Sequence, residues 1–293
     1  MRFKNRDPSI VCVIGAGTMG AGIAQWFIQK GHVVELFDHD QEKVKNAQAQ
    51  LKSSWQKLEQ KGKYLESDVL TFNRSLIPKA SLESFTKSAP LVIEAVVEDL
   101  KIKQDLFAKL DKHFDEEAIL GTNTSSISIT AIGKVLSDSR KIRFMGLHFF
   151  NPAPIMPLVE VITAPYTDAI MANALYRFFE ANEKKPAMCK DSPGFMANRL
   201  ARNFYGEAMQ IIESNNPEIV KELDNIVREV GGFRMGPFEL MDLIGIDVNL
   251  GVTEYVYKEL KNLERFAPHP IQKSLVQEGH FGRKSGKGFY EYK

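Results

Sequence analysis

The stretch SIVCVIGAGTMGAG, residues 9–22, decides the fold. It starts with a continuous apolar run rich in β-branched residues, which is typical of a strand buried on both faces of a parallel sheet. Residues 20–32, GAGIAQWFIQKGH, have helical periodicity and a glycine stop at Gly31, and VVELFD at 33–38 has the pattern of a second strand. The sequence therefore predicts a strand–helix–strand unit at the start of the chain.

Three glycines between the first strand and the helix have the spacing G-x-G-x-x-G. In such a turn the first glycine allows a tight bend, the second lets a pyrophosphate approach the backbone, and the third lets helix and strand pack closely. The helix N-terminus then offers N–H groups to the phosphates. The glycines alone are a weak signal, but their place between strand and helix predicts a dinucleotide site at Gly15, Gly17, Thr18, Met19 and Gly20.

Asp38 ends the second strand, eighteen residues beyond Gly20. An acidic side chain at this position accepts hydrogen bonds from the adenosine ribose hydroxyls. A carboxylate would repel a 2′-phosphate, and the next residues, HDQE, contain no arginine to receive one. NAD is therefore expected rather than NADP. The alternative is an aspartate that only ends the strand in a turn.

Alternation of strands and helices continues to about residue 190. Apolar runs at 90–96, 118–124 and 142–150 are separated by helical segments, and this pattern predicts an α/β, Rossmann-type, doubly wound and mostly parallel sheet. Beyond CKDSPG, at 189–194, only helical segments with Pro or Gly breaks follow. We predict an NAD-binding domain over 1–190, with a polar helical excursion at about 41–66, and an all-α C-terminal domain over 191–293.

The composition excludes several classes of protein. Hydrophobic residues make up 44% of the 293, and 38 Lys and Arg nearly balance 37 Asp and Glu, so no charge excess indicates nucleic acid or an anionic membrane surface. No run reaches the ~20 apolar residues of a membrane span. The two cysteines, Cys12 and Cys189, have neither metal-ligand nor disulfide spacing, and no metal is expected. The cytoplasm is the expected compartment.

Two titratable residues lie in apolar runs on either side of a proline-containing loop. Period-2 alternation puts His148 on one face of RFMGLHFF and Glu160 on one face of LVEVI. If the chain turns back antiparallel and symmetrically about Pro154, these two residues become a cross-strand pair, with Cβ atoms ~5 Å apart. A buried carboxylate bonded to one ring nitrogen suits a histidine for general base catalysis. The alternative is a structural pair that braces the corner.

The segment GTNTSSIS, at 121–128, is a polar stretch directly after an apolar strand. Ligands bind at the carboxyl ends of strands in open α/β sheets, so Asn123, Ser125 and Ser126 are candidate substrate contacts. Serine and threonine at a strand exit are also common helix caps, and the sequence does not decide between these roles.

Seven segments together resemble the L-3-hydroxyacyl-CoA dehydrogenase family, which includes 3-hydroxybutyryl-CoA dehydrogenases. The resemblance covers nearly the whole chain in the family's order, and HFFNP followed by LVEV is more specific than the glycines. The segments are GAGTMGAGIA (15–24), EAVVEDLKIK (94–103), NTSS (123–126), HFFNPAPIMPLVEVI (148–162), DSPGFMANR (191–199), MGPFELMDLIGID (235–247) and FGRKSGKGFYEY (281–292).

The resemblance implies NAD-dependent, reversible oxidation of an L-3-hydroxyacyl-CoA to the 3-oxoacyl-CoA, as in fatty-acid β-oxidation or butanoate metabolism, and a homodimer formed through the C-terminal domain. His148 matches the family's catalytic base and Glu160 its orienting acid, while Ser125 and Asn198 match groups that hold the substrate's 3-oxygen. Matches to cofactor positions are Asp38, Glu98, Lys103, Ser125, Asn151 and Lys284, and matches to coenzyme A contacts are Ser54, Lys61 and Ser125.

Two other functions stay open at this stage. One is a dehydrogenase of another 3-hydroxy acid, since related enzymes use a similar cofactor half. The other is a non-enzymatic NAD-binding protein, because folds can keep a cofactor site and lose the chemistry.

Overall fold

A computed structural model describes residues 9–212 and 214–292, and within them the chain forms eight strands and twelve α-helices. The strands are β1 (Ile10–Ile14), β2 (Val33–Phe37), β3 (Leu76–Pro78), β4 (Leu91–Glu94), β5 (Ile119–Thr122), β6 (Phe144–Phe149), β7 (Leu158–Thr163) and β8 (Lys185–Lys190). The helices are α1 (Thr18–Gln29), α2 (Gln41–Gln60), α3 (Glu66–Ser75), α4 (Leu100–His113), α5 (Ile129–Ile132), α6 (Asp138–Lys141), α7 (Ala169–Ala181), α8 (Ala197–Ile211), α9 (Pro217–Glu229), α10 (Pro237–Ile244), α11 (Ile246–Glu259) and α12 (Pro270–Gln277).

The chain divides into two compact units, the first ending at Asp191 and the second starting at Ser192. All eight strands belong to the first unit and form one sheet in the order β3-β2-β1-β4-β5-β6-β7-β8. Neighbouring strands are parallel except β6 and β7, which are antiparallel. The predicted mostly parallel α/β sheet followed by a helical region is confirmed.

Helices cover both faces of this sheet, which explains why the central strands β4, β5 and β6 are buried at every position. Met145 of β6 belongs to a core that also contains Trp26 and Phe27 of α1 and Phe178 of α7. Phe144, the preceding residue, faces the other way because side chains alternate along a strand. Its ring contacts Phe107 of α4, with the centroids 4.8 Å apart.

Two strands and part of a helical pair were not predicted. β3 has three residues and ends in a proline, and β8, KPAMCK, is a partly exposed edge strand without a fully buried residue. Neither has the continuous apolar pattern that marks the inner strands. The excursion predicted at 41–66 is α2 followed by a turn and the start of α3, and Leu51 and Trp55 of α2 belong to the core that α1 shares.

The second unit is helical, as the Pro and Gly breaks predict. Its core gathers apolar side chains from α8, α9, α10, α11 and α12 together with Phe289 of the C-terminal segment. Asp242 is 1% exposed and accepts hydrogen bonds from the Phe289 and Tyr290 N–H groups and the Tyr292 hydroxyl. These bonds attach residues 289–292 to α10.

Across the described parts of the chain, every helix is too short or too polar to span a lipid bilayer. Of the two cysteines, Cys12 is buried in β1 and Cys189 is half-buried in β8.

Candidate active site

The glycine turn after β1 has the shape that a pyrophosphate needs. Gly15 has φ +103°, and a Cβ there would lie 2.3 Å from the Ala95 carbonyl oxygen. A Cβ on Gly20 would lie 1.7 Å from the Gly15 oxygen, so α1 crosses the turn at a distance that only glycine allows. A Cβ on Gly17 would meet nothing within 4 Å. The space above Gly17, at the exposed N-terminus of α1, therefore fits a phosphate group of a dinucleotide.

Asp38 lies beside this turn at the end of β2 and is 7% exposed. Its Oδ2 accepts the Ala16 N–H at 2.9 Å and its Oδ1 accepts the Asp40 N–H at 3.0 Å. These bonds hold the carboxylate against the glycine turn. A carboxylate has about four acceptor positions, so Asp38 can still accept hydrogen bonds from ribose hydroxyls after making these two.

His148 and Glu160 lie directly opposite each other on β6 and β7. The ring Nδ1 and the carboxylate Oε2 are 2.7 Å apart, and both side chains are buried, Glu160 completely. The predicted cross-strand pair is confirmed. A carboxylate this close accepts the Nδ1 proton, which fixes the tautomer and puts the ring's lone pair on Nε2.

Glu98 organises the loop that follows β5. Its Oε1 lies 2.7 Å from the Thr124 hydroxyl, and it also accepts from the N–H and hydroxyl groups of Ser125 and Ser126 at 2.9–3.2 Å. Burial by itself would raise the pKa of Glu98. The Lys103 ammonium, 3.3 Å from Oε2, and the loop hydroxyls outweigh that effect and hold the pKa below its ordinary value. Glu98 is thus a carboxylate that receives the hydrogen bonds of the loop at 124–126.

A fully buried carboxylate, Glu94 at the end of β4, lies beneath this loop. Its Oε1 accepts from Lys103 Nζ at 2.6 Å and its Oε2 accepts the Thr122 hydroxyl at 2.7 Å. Lys103 is 1% exposed and joins Glu94 to Glu98. The predicted contact of Lys103 with the cofactor stays a prediction. Because the Lys103 ammonium contacts Glu98, it can influence a bound cofactor through that carboxylate. Sequence reasoning missed Glu94, although a glutamate that closes the apolar run LVIE was a signal.

Asn123, a candidate substrate contact, connects two strands. Its Oδ1 accepts the Phe149 N–H at 2.9 Å, which ties the exit of β5 to the strand that carries His148. β1, β4, β5 and β6 run parallel. The glycine turn, Glu94, the polar loop and His148 therefore lie toward one edge of the sheet, the carboxyl edge where open α/β sheets bind ligands.

A cavity of about 740 Å³ lies between α1, α2 and the loop 151–157 that joins β6 to β7. Its wall includes Thr18, Ser54 and the exposed Asn151. The Ser54 hydroxyl accepts from the Gln25 amide at 3.3 Å. Lys63 also contributes to the wall, whereas the predicted coenzyme A contact Lys61 is an exposed residue at the end of α2, outside that wall. Sequence reasoning did not single out Lys63.

The second unit carries two more predicted site residues. Asn198 is half-buried in the first turn of α8. The Lys284 ammonium is 2.6 Å from an Asp247 carboxylate oxygen, and this pairing holds the pKa of Asp247 below its ordinary value against the opposing effect of burial. Lys284 is thus oriented by a carboxylate of its own unit.

The fold and the site define a class: a two-unit protein with a dinucleotide turn and a buried acid–base pair on the same edge of a parallel sheet. Residues 10–192 match the family described as "3-hydroxyacyl-CoA dehydrogenase, NAD binding domain". Residues 194–292 match "3-hydroxyacyl-CoA dehydrogenase, C-terminal domain". The chain therefore belongs to the 3-hydroxyacyl-CoA dehydrogenase family.

Individual relatives agree with this assignment. The mitochondrial hydroxyacyl-coenzyme A dehydrogenase of Sus scrofa is 37% identical over 289 residues, which cover 97% of this chain and 91% of the relative. The 3-hydroxyadipyl-CoA dehydrogenase of Escherichia coli K12 is 40% identical, and the match covers 97% of this chain but 59% of that protein. The crystal structure of (S)-3-hydroxybutyryl-CoA dehydrogenase from Ralstonia eutropha has a TM-score of 0.89 at 33% identity and covers 98% of this chain and 100% of that one.

Proposed function

We propose that this protein is an NAD-dependent dehydrogenase that interconverts L-3-hydroxyacyl-CoA and 3-oxoacyl-CoA, with His148 as the general base in oxidation and the general acid in reduction. The observation that carries this proposal is the buried His148–Glu160 pair at the carboxyl edge that also bears the glycine turn. Relatives named as dehydrogenases of hydroxyacyl-CoA and 3-hydroxybutyryl-CoA support the substrate class.

The residues around the glycine turn fit NAD. Backbone N–H groups at Gly17 and the start of α1 would receive the pyrophosphate, and Asp38 would receive the ribose hydroxyls. Bound NAD supplies the acceptor for the hydride from C3 of the substrate. The predicted contacts near the nicotinamide are Glu98, Lys103, Ser125, Asn151 and Lys284.

The chain's own acid–base chemistry centres on Nε2 of His148. In oxidation this atom removes the proton of the substrate's 3-hydroxyl group, and in reduction it returns that proton to the 3-oxo oxygen. The ring becomes positively charged after taking the proton. The Glu160 carboxylate, at 2.7 Å from Nδ1, stabilises this charge in an environment shielded from water.

Substrate binding is assigned to two groups of residues. Ser125 and Asn198 are proposed to hold the 3-oxygen, and the hydrogen bonds from the 124–126 loop to Glu98 support this by keeping the loop ordered. The cavity that includes Ser54 is proposed to receive part of the coenzyme A moiety. Lys61, which is exposed and lies outside the wall of this cavity, is proposed to contact one of the phosphates.

The direct test is oxidation of NADH with acetoacetyl-CoA. We expect turnover by the wild type and a loss of at least ~10²-fold in kcat for His148→Gln, the range of general acid–base catalysis. If the wild type turns over none of a panel of 3-oxoacyl-CoAs, the proposed function is rejected. An unchanged kcat in His148→Gln would reject the proposed role of the histidine. Equal rates for acetoacetate and acetoacetyl-CoA would favour a dehydrogenase of free acids.

A homodimer formed by the second unit is proposed from its exposed apolar side chains. Val230, at the end of α9, is 84% exposed, and further exposed apolar residues on α8 and α9 are Leu200, Ile211, Ile219 and Ile226. Burial of such residues is the usual source of dimer stability. Light scattering should give twice the chain mass for wild type and Leu70→Glu, an exposed α3 position, and a lower mass for Val230→Glu. A monomeric wild type would contradict the proposal.

The proposed compartment is the cytoplasm. The sequence has only two cysteines, and they have neither disulfide nor metal-ligand spacing, which supports a reducing environment. Fractionation of the source cells followed by detection of the protein tests this, and recovery in an organelle or an extracellular fraction would contradict it.

A further inference from the structure

Lys184, in the turn between α7 and β8, is 5% exposed, which is unusual for a lysine. Its ammonium donates to the backbone carbonyls of Ala153, at 2.5 Å, and Met156, at 2.6 Å. It also lies 5.1 Å from the ring centroid of Trp26 and 5.8 Å from that of Phe149. Short charge-assisted hydrogen bonds and ring faces thus compensate the buried charge.

Both carbonyls belong to the loop 151–157, whose residues 151–155 form part of the wall of the 740 Å³ cavity. Ala153 packs in the core, and a Cβ on Gly22 of α1 would lie 3.3 Å from the Ala153 Cβ. Ile155, between the two bonded residues, is 76% exposed. The loop is therefore attached at Ala153 and Met156 and projects between them.

We propose that Lys184 is a positioning residue for substrate binding, whose charged side chain holds the loop 151–157 in the shape that completes the wall of the Ser54 cavity. This inference rests on the proposed function, because it assigns that cavity to the coenzyme A part of the substrate. Lys184 contacts the loop backbone and acts through it.

The charge on Lys184 depends on pH within an accessible range. Burial, reinforced by the nearby Lys30 ammonium, lowers the pKa of Lys184 to about 8. Lys184 also lines a second, smaller cavity of about 240 Å³, and the other titratable groups in its wall are Lys30, its partner Glu183, and Tyr64. Below this pKa the side chain is an ammonium. Above it the neutral amine keeps only weaker donors and loses its attraction to the Trp26 ring.

The kinetic test compares Lys184→Met, which keeps the length and apolar stem, with Lys185→Met, the exposed neighbour in β8. At pH 7 we expect KM for acetoacetyl-CoA to rise about tenfold in Lys184→Met, a factor equivalent to ~1.4 kcal/mol. We expect kcat to stay within about twofold, because the backbone pairing of β6 with β7 holds His148 opposite Glu160. Lys185→Met should match the wild type.

The pH profile separates charge from packing. As the pH rises through about 8, KM of the wild type should increase toward that of Lys184→Met, whose own KM should not follow that titration. Lys184→Gln, whose side chain is a neutral donor, should have a raised KM that does not change with pH near 8. This variant replaces Lys184→Met in the test if the methionine variant does not fold. Folded variants with wild-type KM and an unchanged profile would overturn the inference.

A fluorescence titration tests the charge without using the enzymatic activity. The chain has two tryptophans, so Trp55→Phe leaves Trp26 as the only reporter. Its emission should titrate with a midpoint near pH 8, and this change should vanish when Lys184→Met is added. Absence of the titration would overturn the inference, whereas lack of wild-type turnover beside an intact titration would reject the proposed function alone.

Discussion

Replacing Glu160 by glutamine tests the central pair while changing little but charge. The amide oxygen of glutamine can still accept the Nδ1 proton of His148, so the ring keeps its tautomer and orientation. Because Glu160 is completely buried, solvent cannot substitute for the lost negative charge. The variant therefore isolates the stabilisation that the carboxylate gives to a protonated His148.

The expected magnitude follows from the geometry. With Nδ1 and Oε2 at 2.7 Å, the centres of the two charges are about 4 Å apart, and at an effective dielectric constant of about 20 they attract by ~4 kcal/mol. Each ~1.4 kcal/mol of transition-state stabilisation is worth a factor of ten in rate. Only part of the charge develops in the transition state, so kcat of Glu160→Gln should fall by ~10²- to 10³-fold.

The assay is steady-state oxidation of NADH with acetoacetyl-CoA, together with NADH binding followed by fluorescence. Glu35→Gln is the matched control, since Glu35 is another buried carboxylate of the same sheet, paired with Lys79 and bonded to Thr86. It should lower thermal stability and leave kcat nearly unaltered. A kcat of Glu160→Gln within tenfold of wild type, or equal losses in turnover and NADH affinity, would refute the reasoning and indicate a structural brace.

Three further predictions concern other parts of the molecule. Gly20→Ala should weaken NADH binding at least ~10-fold and lower stability by ~1–3 kcal/mol, because its Cβ overlaps the Gly15 oxygen, whereas Gly206→Ala, with nothing within 4 Å, should not; equal melting temperatures and NADH affinities would contradict this. The pKa of Glu98 is lowered in the folded protein, so the Glu98 carboxylate stabilises the fold above pH 4.5, its ordinary pKa, and this contribution is lost as the pH falls through the lowered pKa. The urea midpoints of wild type and Glu98→Gln should therefore differ more at pH 7 than at pH 3. Tyr290→Phe removes a 2.8 Å bond to a buried aspartate and should cost ~1 kcal/mol in calorimetry, and an unchanged melting temperature would count against that bond.

The elements that follow local rules could be predicted from the sequence. Glycine spacing and strand–helix alternation act over a few residues, so the dinucleotide turn and Asp38 were recognisable before the structure. The His148–Glu160 pairing was also accessible, since period-2 alternation and a symmetric turn relate residues only twelve positions apart. The short strand β3 and the polar edge strand β8 lack such a pattern, and only their pairing with β2 and β7 in the structure identifies them as strands.

The supports of the site were decided by the tertiary structure. Thr122 reaches Glu94 across 28 positions of sequence, and Lys184 reaches Ala153 across 31. Such bonds form because the sheet brings distant strand ends together, and a buried charge is stable only where its partners meet it. The sequence by itself thus determined which residue types carry the chemistry, while the fold decided which carboxylates and ammonium groups hold them in place. The reason is that those contacts join residues far apart in the sequence, which no local periodicity encodes.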